Sequence, residues 1–580
     1  MPLTTGLFAL ALIMTPPGGE TASTVRDLAD AWVAGFADFD PLEARLWGVA
    51  TDPDRLTGDV SPAETADWRR QQQAWLAELN RIDAAPLTAT DRAIYINLRD
   101  RIETDLALET CHREFWPLNN FGGWHLNLEN SLAIALETSG PDAERLEDWA
   151  GQIAARLSTD TAALETGLEH GYSVPRPVAM IVADQYDGLA APDSPVAALP
   201  DGSDPALAAH WSDLFDTVIA PAFTRQATYI RDRYAPRART DLSLSALPDG
   251  PACLVASVRR NVGIVMTPAE LDALADRLQR TADARLSELG GRMWGLTDPV
   301  AVRERLQSLT DDDAELGGEA EIIAAVQAET DRLIAVSAPY FPPLPEQQVD
   351  VVAYSAIERE GMTASYRPSN DGDFAGTYFL NPDEPRMQTR RSMAAVTSHE
   401  VAPGHHMQAM IARAAGSAGS EPPHPILTIG FNNAFVEGWA HYAETLAFEE
   451  GLLSDSDRTA LDFWADFGEA IAIETRFQTG EADEAATRQA VLDRRGTPDA
   501  DPSSADIPLY WMSVMPAQLF SYGLGAETLY RLRDRARDAL GDRFDYPTFH
   551  RLVLEDGSVP LWWIEEKVDA WIASSGADAD

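Results

Sequence analysis

The stretch from Ser398 to Gln408, SHEVAPGHHMQ, concentrates residues that can bind a metal ion. It contains His399, His405 and His406, three of the chain's ten histidines, and it places Glu400 directly after the first of them. Imidazole nitrogens and carboxylate oxygens are common zinc ligands, and a carboxylate beside the ion can act as a general base. We therefore predict a site for one Zn²⁺ ion that activates water.

The spacing of these histidines differs from the H-E-x-x-H pattern, in which two histidines lie one helical turn apart. On a straight helix His405 would point away from His399, and His406 would lie ~10 Å along the axis. Pro403 and Gly404, which lie between them, are residues that interrupt helices. We predict a distorted helix at this pair, with His405 as the second ligand and His406 as the alternative.

A third ligand is expected from the downstream stretch FVEGWAHYAE, residues 435–444. Glu437, His441 and Glu444 follow one another at spacings of four and three, so all three can face one side of a helix. Glu437 is the expected third ligand. His441 and Glu444 are expected to orient a ligand through hydrogen bonds. Without a metal, the histidines would be a polar core or a chance surface run.

The expected chemistry is hydrolysis. Three protein ligands leave a position for water, whose pKa falls towards ~7 on zinc. Glu400 would accept its proton, and the oxyanion that forms needs a further donor. Tyr522, in SYGLG, is the expected donor, with Tyr442 as a weaker candidate. A core tyrosine is the alternative interpretation of Tyr522, and His550 is interpreted as polar core.

Helical signals dominate the elements that must position these residues. Thr267 to Glu270, TPAE, predicts a capping box that starts a long amphipathic helix, which Gly290 and Gly291 are expected to stop. Short runs rich in β-branched and aromatic residues predict strands. These runs are 349–354, 364–367 and 376–381. The expected fold class is mainly α, a large helical protein with one small β-sheet beside a metal-site cleft.

The last of these runs has a predicted role in binding substrate. Gly376 to Asn381 is the strand closest before His399, and we expect it to form the edge of the sheet. An exposed edge strand can pair with an extended peptide. Gly376, Tyr378 and Asn381 are therefore predicted to bind a short peptide.

The chain is expected to divide into three parts. Residues 1–24 form an N-terminal extension or a secretory signal, 25–250 a mostly helical lobe, and 251–580 a catalytic lobe with the sheet at about 349–381. The apolar run Leu7 to Met14 is short and has no basic residue before it, which is weak for a signal. We expect a cytoplasmic protein, with export through this weak signal as the alternative.

Charge and composition exclude some partners. The net charge of −47 is spread along the chain, which argues against nucleic acid and anionic membranes. No segment approaches the ~20 apolar residues of a membrane span. Cys111 and Cys253 are too few for a disulfide framework or a thiolate zinc site, and they allow a reducing compartment.

The motifs HEVAPGHHMQ and VEGWAHYAE resemble those of the bacterial domain-of-unknown-function 885 family, whose members are regarded as zinc metallopeptidases related to the gluzincins. The similarity runs from about residue 42 to residue 561. It implies that His399, one of His405 and His406, and Glu437 bind the metal, with Glu400 as general base. Asp272 departs from the family pattern, which has a histidine there, so substrate choice can differ.

Three functions follow from these residues. The leading prediction is a zinc-dependent hydrolase that cleaves peptide bonds of short peptides. One alternative is a metal-dependent hydrolase or biosynthetic enzyme that acts on a non-peptide amide. The other is a non-catalytic binding protein on the same fold, against which the intact pair His399–Glu400 and Glu437 both argue.

Overall fold

The computed structural model describes residues 17–200, 202–309, 315–355, 359, 362–369, 373–417, 424–429, 432–494 and 498–577. Residues 1–16 of the predicted N-terminal extension or signal, which was expected to span residues 1–24, lie outside the described residues. From Pro17 onwards the chain already belongs to the first helix.

The described chain is mainly helical and carries one three-stranded sheet, so the predicted fold class is confirmed. The helices are α1 (Pro17–Phe39), α2 (Pro41–Leu46), α3 (Pro62–Leu79), α4 (Ala89–Leu108), α5 (Leu128–Ser139), α6 (Ala143–His170), α7 (Arg176–Ala190), α8 (Pro205–Leu214), α9 (Ala220–Tyr229), α10 (Gly250–Val262), α11 (Pro268–Trp294), α12 (Pro299–Gln307), α13 (Glu319–Ser337), α14 (Arg390–Glu400), α15 (His405–Ser417), α16 (Asn433–Glu449), α17 (Ser456–Asp466), α18 (Glu469–Thr479), α19 (Glu484–Arg494), α20 (Asp506–Val514), α21 (Leu519–Leu540), α22 (Tyr546–Leu554) and α23 (Leu561–Ala577). The strands are β1 (Gln348–Ala353), β2 (Ala364–Pro368) and β3 (Ala375–Leu380).

Most of the apolar core forms one cluster, and a smaller cluster lies around Phe477 and Leu509. One cluster of buried side chains extends from Val25 in α1 to Val568 in α23 and includes Trp149, Trp211 and Trp439. The sequence boundary expected at residue 250 coincides with the start of α10, and buried side chains from both sides of it belong to this cluster. The division into two lobes stays a prediction.

Helix α11 begins as predicted but ends later. The Thr267 hydroxyl accepts the Glu270 N–H and the Glu270 carboxylate accepts the Thr267 N–H, which completes the capping box. The helix continues past Gly290 to Trp294 and ends at Gly295, whose φ is +71°. Gly290 does not stop the helix. It lets Val302 of α12 approach, because a Cβ there would overlap the Val302 side chain.

The three strands lie in the order β1-β3-β2, with β1 parallel and β2 antiparallel to β3. The prediction that Gly376 to Asn381 forms the edge of the sheet is therefore wrong. Strand β3 is central, and both of its sides are paired. The error has a non-local cause. Strand β1, more than 20 residues earlier in the chain, pairs with β3, and nothing in the sequence of β3 reveals that neighbour.

The outer edge of β1 is covered by a side chain of α13. The Gln327 amide donates to the Val349 carbonyl at 2.9 Å and accepts the Val351 N–H at 3.2 Å. Strand β2 lies against α14 and α15. It is thus the edge strand beside the two helices that carry the histidine motif.

Helices α16 and α21 pack closely against each other. A Cβ on Gly438 would overlap the backbone of Gly525, and a Cβ on Gly525 would overlap the Ala434 carbonyl. Glycine is needed at both positions because the two backbones touch there. This contact places Glu437 and Tyr522, which neighbour these glycines, on facing helices.

The two cysteines form a disulfide. Cys111 follows α4, Cys253 lies in the first turn of α10, and their Cα atoms are 4.7 Å apart. The bond joins segments that are 142 residues apart in the chain.

Among the described helices, none is both long enough and apolar enough to span a bilayer.

Candidate metal centre

The helix that carries His399 breaks where it was predicted to break. Helix α14 ends at Glu400, Val401 has φ −113° and ψ −83°, and α15 begins at His405. The Ala402–Pro403 peptide bond is cis. A Cβ on Gly404 would overlap the carbonyl oxygen of His399, so this turn needs glycine. The predicted distortion is confirmed.

Trp439 of α16 joins the two motifs at this break. Its indole N–H is shared between the Pro403 carbonyl at 3.2 Å and the Gly404 carbonyl at 3.1 Å. Trp439, Pro403 and Gly404 are all buried, so the indole gives the Pro403 carbonyl a partner in place of water, while the Gly404 carbonyl also accepts the Gln408 N–H at 3.0 Å. The tryptophan in the EGWAH sequence thus fixes the turn that precedes His405.

The turn brings three ligand atoms together. Glu437 Oε2 lies 3.6 Å from His399 Nε2 and 3.7 Å from His405 Nε2, and the three ligand atoms lie within 4.8 Å of one another. Two ligands at ~2.1 Å from a tetrahedral zinc ion are about 3.4 Å apart. A set of two imidazole nitrogens and one carboxylate oxygen therefore fits a zinc ion in both chemistry and spacing.

His406 is held away from this group. Its Nε2–H donates to Gln347 Oε1 at 2.8 Å, and its Nδ1 accepts the Tyr366 hydroxyl at 2.8 Å. Burial lowers the pKa of His406 to about 3, so the ring is neutral and both nitrogens are occupied. The structure brings together His399, His405 and Glu437, and it excludes the alternative ligand.

Each histidine of the group is oriented by a hydrogen bond through its other nitrogen. His399 Nδ1–H donates to Glu444 Oε1 at 2.8 Å, and His405 Nδ1–H donates to Gln408 Oε1 at 3.3 Å. These bonds fix the tautomers that turn each Nε2 towards Glu437. Glu444 therefore has the orienting role that its spacing predicts.

His441 lies beside this support. Its Nε2 is 3.7 Å from Glu444 Oε1, and its ring centroid is 4.9 Å from that of Tyr522 and 5.6 Å from that of His399. His441, Glu444 and His399 Nδ1 also lie close enough to share an ion. Because the Nδ1–H of His399 is already bonded to Glu444, we assign this second group to support.

The pKa values of His399 and Glu437 depend on each other's charge. Burial lowers the pKa of His399, but hydrogen bonds to Glu437 and Glu444 outweigh burial and raise it to about 10. Burial likewise raises the pKa of Glu437, yet His399 and His405 outweigh it and hold that pKa well below its usual range. An anion at Glu437 and a cation beside it are thus mutually stabilising.

Glu400 stands next to the ligands without joining them. Its side chain is buried, and no hydrogen bond from the described residues reaches its carboxylate. Burial raises the pKa of Glu400, and the charges of His399 and His405 only partly oppose this rise. A carboxylate with a raised pKa and free oxygens is suited to accept a proton.

Tyr522 projects from α21 beside the same group. Its hydroxyl oxygen accepts the Gln518 amide N–H at 3.1 Å. Burial and the charge of Glu437 raise its pKa well above the ordinary value, so the phenol keeps its proton.

The weaker candidate, Tyr442, is fully buried and donates to His550 Nε2 at 2.9 Å, while His550 Nδ1–H donates to the Tyr340 carbonyl. His550 is polar core, as expected.

The three residues predicted to bind substrate all make contacts within the protein. Gly376 makes room for the Tyr366 ring, since a Cβ there would overlap it. Asn381 donates to the carbonyls of Arg359 and Met362. Tyr378 is fully buried.

Two surface cavities, of about 420 and 500 Å³, lie at residues 190–225 and 485–506 and contain none of the metal-site residues.

Some supporting residues were not predicted from the sequence. They are Trp439, which holds the helix break, Gln518, which bonds Tyr522, and Glu474 of α18, which is fully buried. One oxygen of Glu474 accepts the Ala517 N–H at 2.6 Å. A carboxylate on the same face of α18 as buried Ile471 is the one sequence signal that could have revealed it.

The chain matches the model of a family described as "Bacterial protein of unknown function (DUF885)" over residues 41–568. This match covers most of the chain, and the protein therefore belongs to that family. The resemblance stated from the two motifs is confirmed. Among curated proteins, none matches the chain.

Two solved structures share this fold. One, from Colwellia psychrerythraea, has a TM-score of 0.79 and 16% sequence identity, over 96% of this chain and 99% of its own. The other, from Shewanella oneidensis, has a TM-score of 0.66 and 17% identity, over 95% of this chain and 99% of its own. Each is described as a "putative lipoprotein", the second of unknown function. Similarity at this level of identity establishes the fold.

The expected cytoplasmic location is wrong. Lipoproteins are exported, and the two structural neighbours carry that description. The Cys111–Cys253 disulfide agrees with this correction, because disulfides persist in oxidising compartments and are rare in the cytosol. The cytoplasmic expectation was based on the short apolar run without a preceding basic residue, and the pairing of the two cysteines could not be read from the sequence.

Gly404→Ala should disrupt the centre. The added Cβ overlaps the His399 carbonyl, so the turn must open and His405 must move away from Glu437. We expect zinc affinity, measured by competition with a chelator, to fall by at least about tenfold. Gly151→Ala is the control, because a Cβ at that helical position meets no atom within 4 Å. Unchanged zinc affinity in Gly404→Ala would contradict this geometry.

Glu474 should make stability depend on pH. Burial raises its pKa from 4.5 to about 8, so between these values the folded state holds a proton that the unfolded state has lost. Stability then falls as pH rises across this window, by about 1.4 kcal/mol per pH unit at most. Denaturant unfolding at pH 5 and pH 8 should show a smaller fall in Glu474→Gln than in the wild type. Parallel falls in the two proteins would refute the assignment.

Proposed function

We propose that the protein is a zinc-dependent hydrolase that cleaves peptide bonds of short peptides. The observation that carries this proposal is the convergence of His399 Nε2, His405 Nε2 and Glu437 Oε2 within 4.8 Å, beside a buried Glu400 that binds none of them. Zinc bound there would lower the pKa of water and polarise a substrate carbonyl. Family membership alone carries no activity, since the family's function is unknown.

The side chains have distinct roles in this reaction. Glu400 accepts a proton from the attacking water and passes it to the leaving amine. Tyr522 keeps its phenolic proton and donates a hydrogen bond to the oxygen that gains negative charge. Glu444 and Gln408 hold the two imidazoles in the tautomers that leave Nε2 free.

Strand β2 is the surface that we expect an extended peptide to join. The Asn381 N–H donates to the Thr363 carbonyl at 2.9 Å, so alternate residues from Thr363 bond to β3. The backbone groups of Ala364 and Tyr366 consequently point outwards, towards the open side of the sheet. An added strand there would run past the helices that hold His399 and His405.

We also infer that the protein acts outside the cytosol. The disulfide and the description of the two structural neighbours both agree with a protein that acts in an oxidising compartment. Short peptides in such a compartment are accessible substrates. A net charge of −47 keeps the protein soluble and does not favour anionic substrates.

Glu400→Gln should abolish turnover without loss of metal. We expect zinc content, measured by elemental analysis after purification, to equal that of the wild type. Peptide turnover should fall by about 10²–10⁴-fold, the usual contribution of a general base. The control is Glu346→Gln, an exposed carboxylate for which no change is expected. Wild-type protein without stoichiometric zinc, or undiminished turnover in Glu400→Gln, would refute the proposed function.

Ala364→Pro should weaken peptide binding selectively. Proline removes the outward N–H of β2, and an edge strand tolerates this change. We expect KM for short peptides to rise several-fold while zinc content and turnover of a small acyl-amide stay the same. Ala364→Gly keeps the N–H and should bind peptides normally. If the proline variant has an unchanged KM, peptides do not pair with β2.

A further inference from the structure

The turn between α20 and α21 has an unusual backbone. It connects Val514 to Leu519, and within it Ala517 has φ +68°. A residue other than glycine in this left-handed region costs on the order of 1 kcal/mol and persists only where its surroundings impose it. The turn must therefore be held by contacts from outside it.

Three side chains from separate parts of the fold supply these contacts. Arg113 donates to the Val514 carbonyl at 2.8 Å, and Asn261 of α10 donates to the Pro516 carbonyl at 3.1 Å. Glu474 accepts the Ala517 N–H at 2.6 Å, the shortest of the three bonds. Of these three side-chain bonds, the one from Glu474 engages Ala517 itself, whose carbonyl also accepts the Phe520 N–H at 3.2 Å.

The next residue, Gln518, links the turn to Tyr522. Gln518 Oε1 accepts the Trp511 indole N–H at 3.1 Å, which fixes the amide's orientation. Its Nε2–H then donates to the Tyr522 hydroxyl oxygen at 3.1 Å. Since that bond uses a lone pair of the phenol, the phenolic proton is left for an acceptor in the site.

A carboxyl group at position 474 is energetically unfavourable, because it is buried. The Glu474 side chain is fully buried, and its second oxygen has no hydrogen-bond partner in the described parts of the chain. An apolar residue would avoid this cost of burying a polar atom. The carboxyl group is explained if its bond to Ala517 is what the site requires.

We propose that Glu474 is a positioning residue: its bond to the Ala517 N–H sets the turn that directs the Tyr522 hydroxyl at the metal centre. The proposal rests on the proposed function for its kinetic consequence but not for its geometry. Glu474 itself touches neither the ligands nor the substrate.

Two substitutions separate the hydrogen bond from the side chain's volume. Glu474→Gln keeps an oxygen for Ala517, whereas Glu474→Met has similar length and no strong acceptor. We expect Glu474→Met to lower kcat for peptide hydrolysis about 10- to 100-fold with KM and zinc affinity nearly unchanged, and Glu474→Gln to retain kcat within about threefold. Asp160→Asn, at a buried carboxyl of α6, controls for general destabilisation and should leave kcat unchanged.

A double-substitution cycle tests whether Glu474 acts through Tyr522. In a Tyr522→Phe background, Glu474→Met should cause no further loss of kcat. An equal loss in both backgrounds would overturn the proposal. If Glu474→Met does not fold, adding Ala517→Gly removes the backbone cost at φ +68°, and the same comparison is made in that pair.

Amide hydrogen exchange tests the geometry independently of turnover. Glu474→Met should exchange the amides of residues 515–522 at least about tenfold faster, with residues 390–409 unchanged, and Glu474→Gln should match the wild type. Unaltered exchange at 515–522 overturns the proposal even if peptides are cleaved. Faster exchange in a protein that cleaves no peptide supports the positioning role and refutes only the proposed function.

Discussion

One constraint governs this fold: two histidines six positions apart must direct their Nε2 atoms at a single point. A straight helix cannot do this, so α14 ends at Glu400 and α15 restarts at His405. Ending a helix inside the core leaves carbonyl groups without partners, which is costly in a buried place. Trp439 stabilises the break because it donates to the Pro403 and Gly404 carbonyls in the turn between the two helices. The same helix α16 contributes Glu437, so one element both stabilises the break and completes the ligand group.

The second requirement is close contact between α16 and α21. Gly438 and Gly525 let the two backbones touch, and the side chains that neighbour them then face one centre. Glu437 enters from one helix and Tyr522 from the other. The position of Tyr522 therefore depends on glycines that make no contact with the ligands, and on the buried turn before α21. The chemistry of the site is local, but its precision comes from packing between distant segments.

Local sequence patterns predicted what local physics determines. The helix break at Pro403–Gly404 and the capping box at Thr267 follow from residues within a few turns of one another, while the role of Glu437 as a ligand stays a prediction. What failed was non-local. Strand order cannot be read from β3 itself, and so Gly376 to Asn381 was assigned to the wrong place in the sheet. The cysteine pair was likewise missed, because 142 residues separate its members.

Charge balance among the same residues also favours a cation at the centre. Glu400, Glu437 and Glu444 converge on His399 and His405, and these carboxylates are buried or nearly so. A single protonated imidazole neutralises only one of them, and buried charges without partners are strongly unfavourable. The raised pKa of His399 is the response of a group that must supply positive charge itself. A divalent ion would supply that charge directly, release the imidazole proton and leave Glu400 as the remaining base.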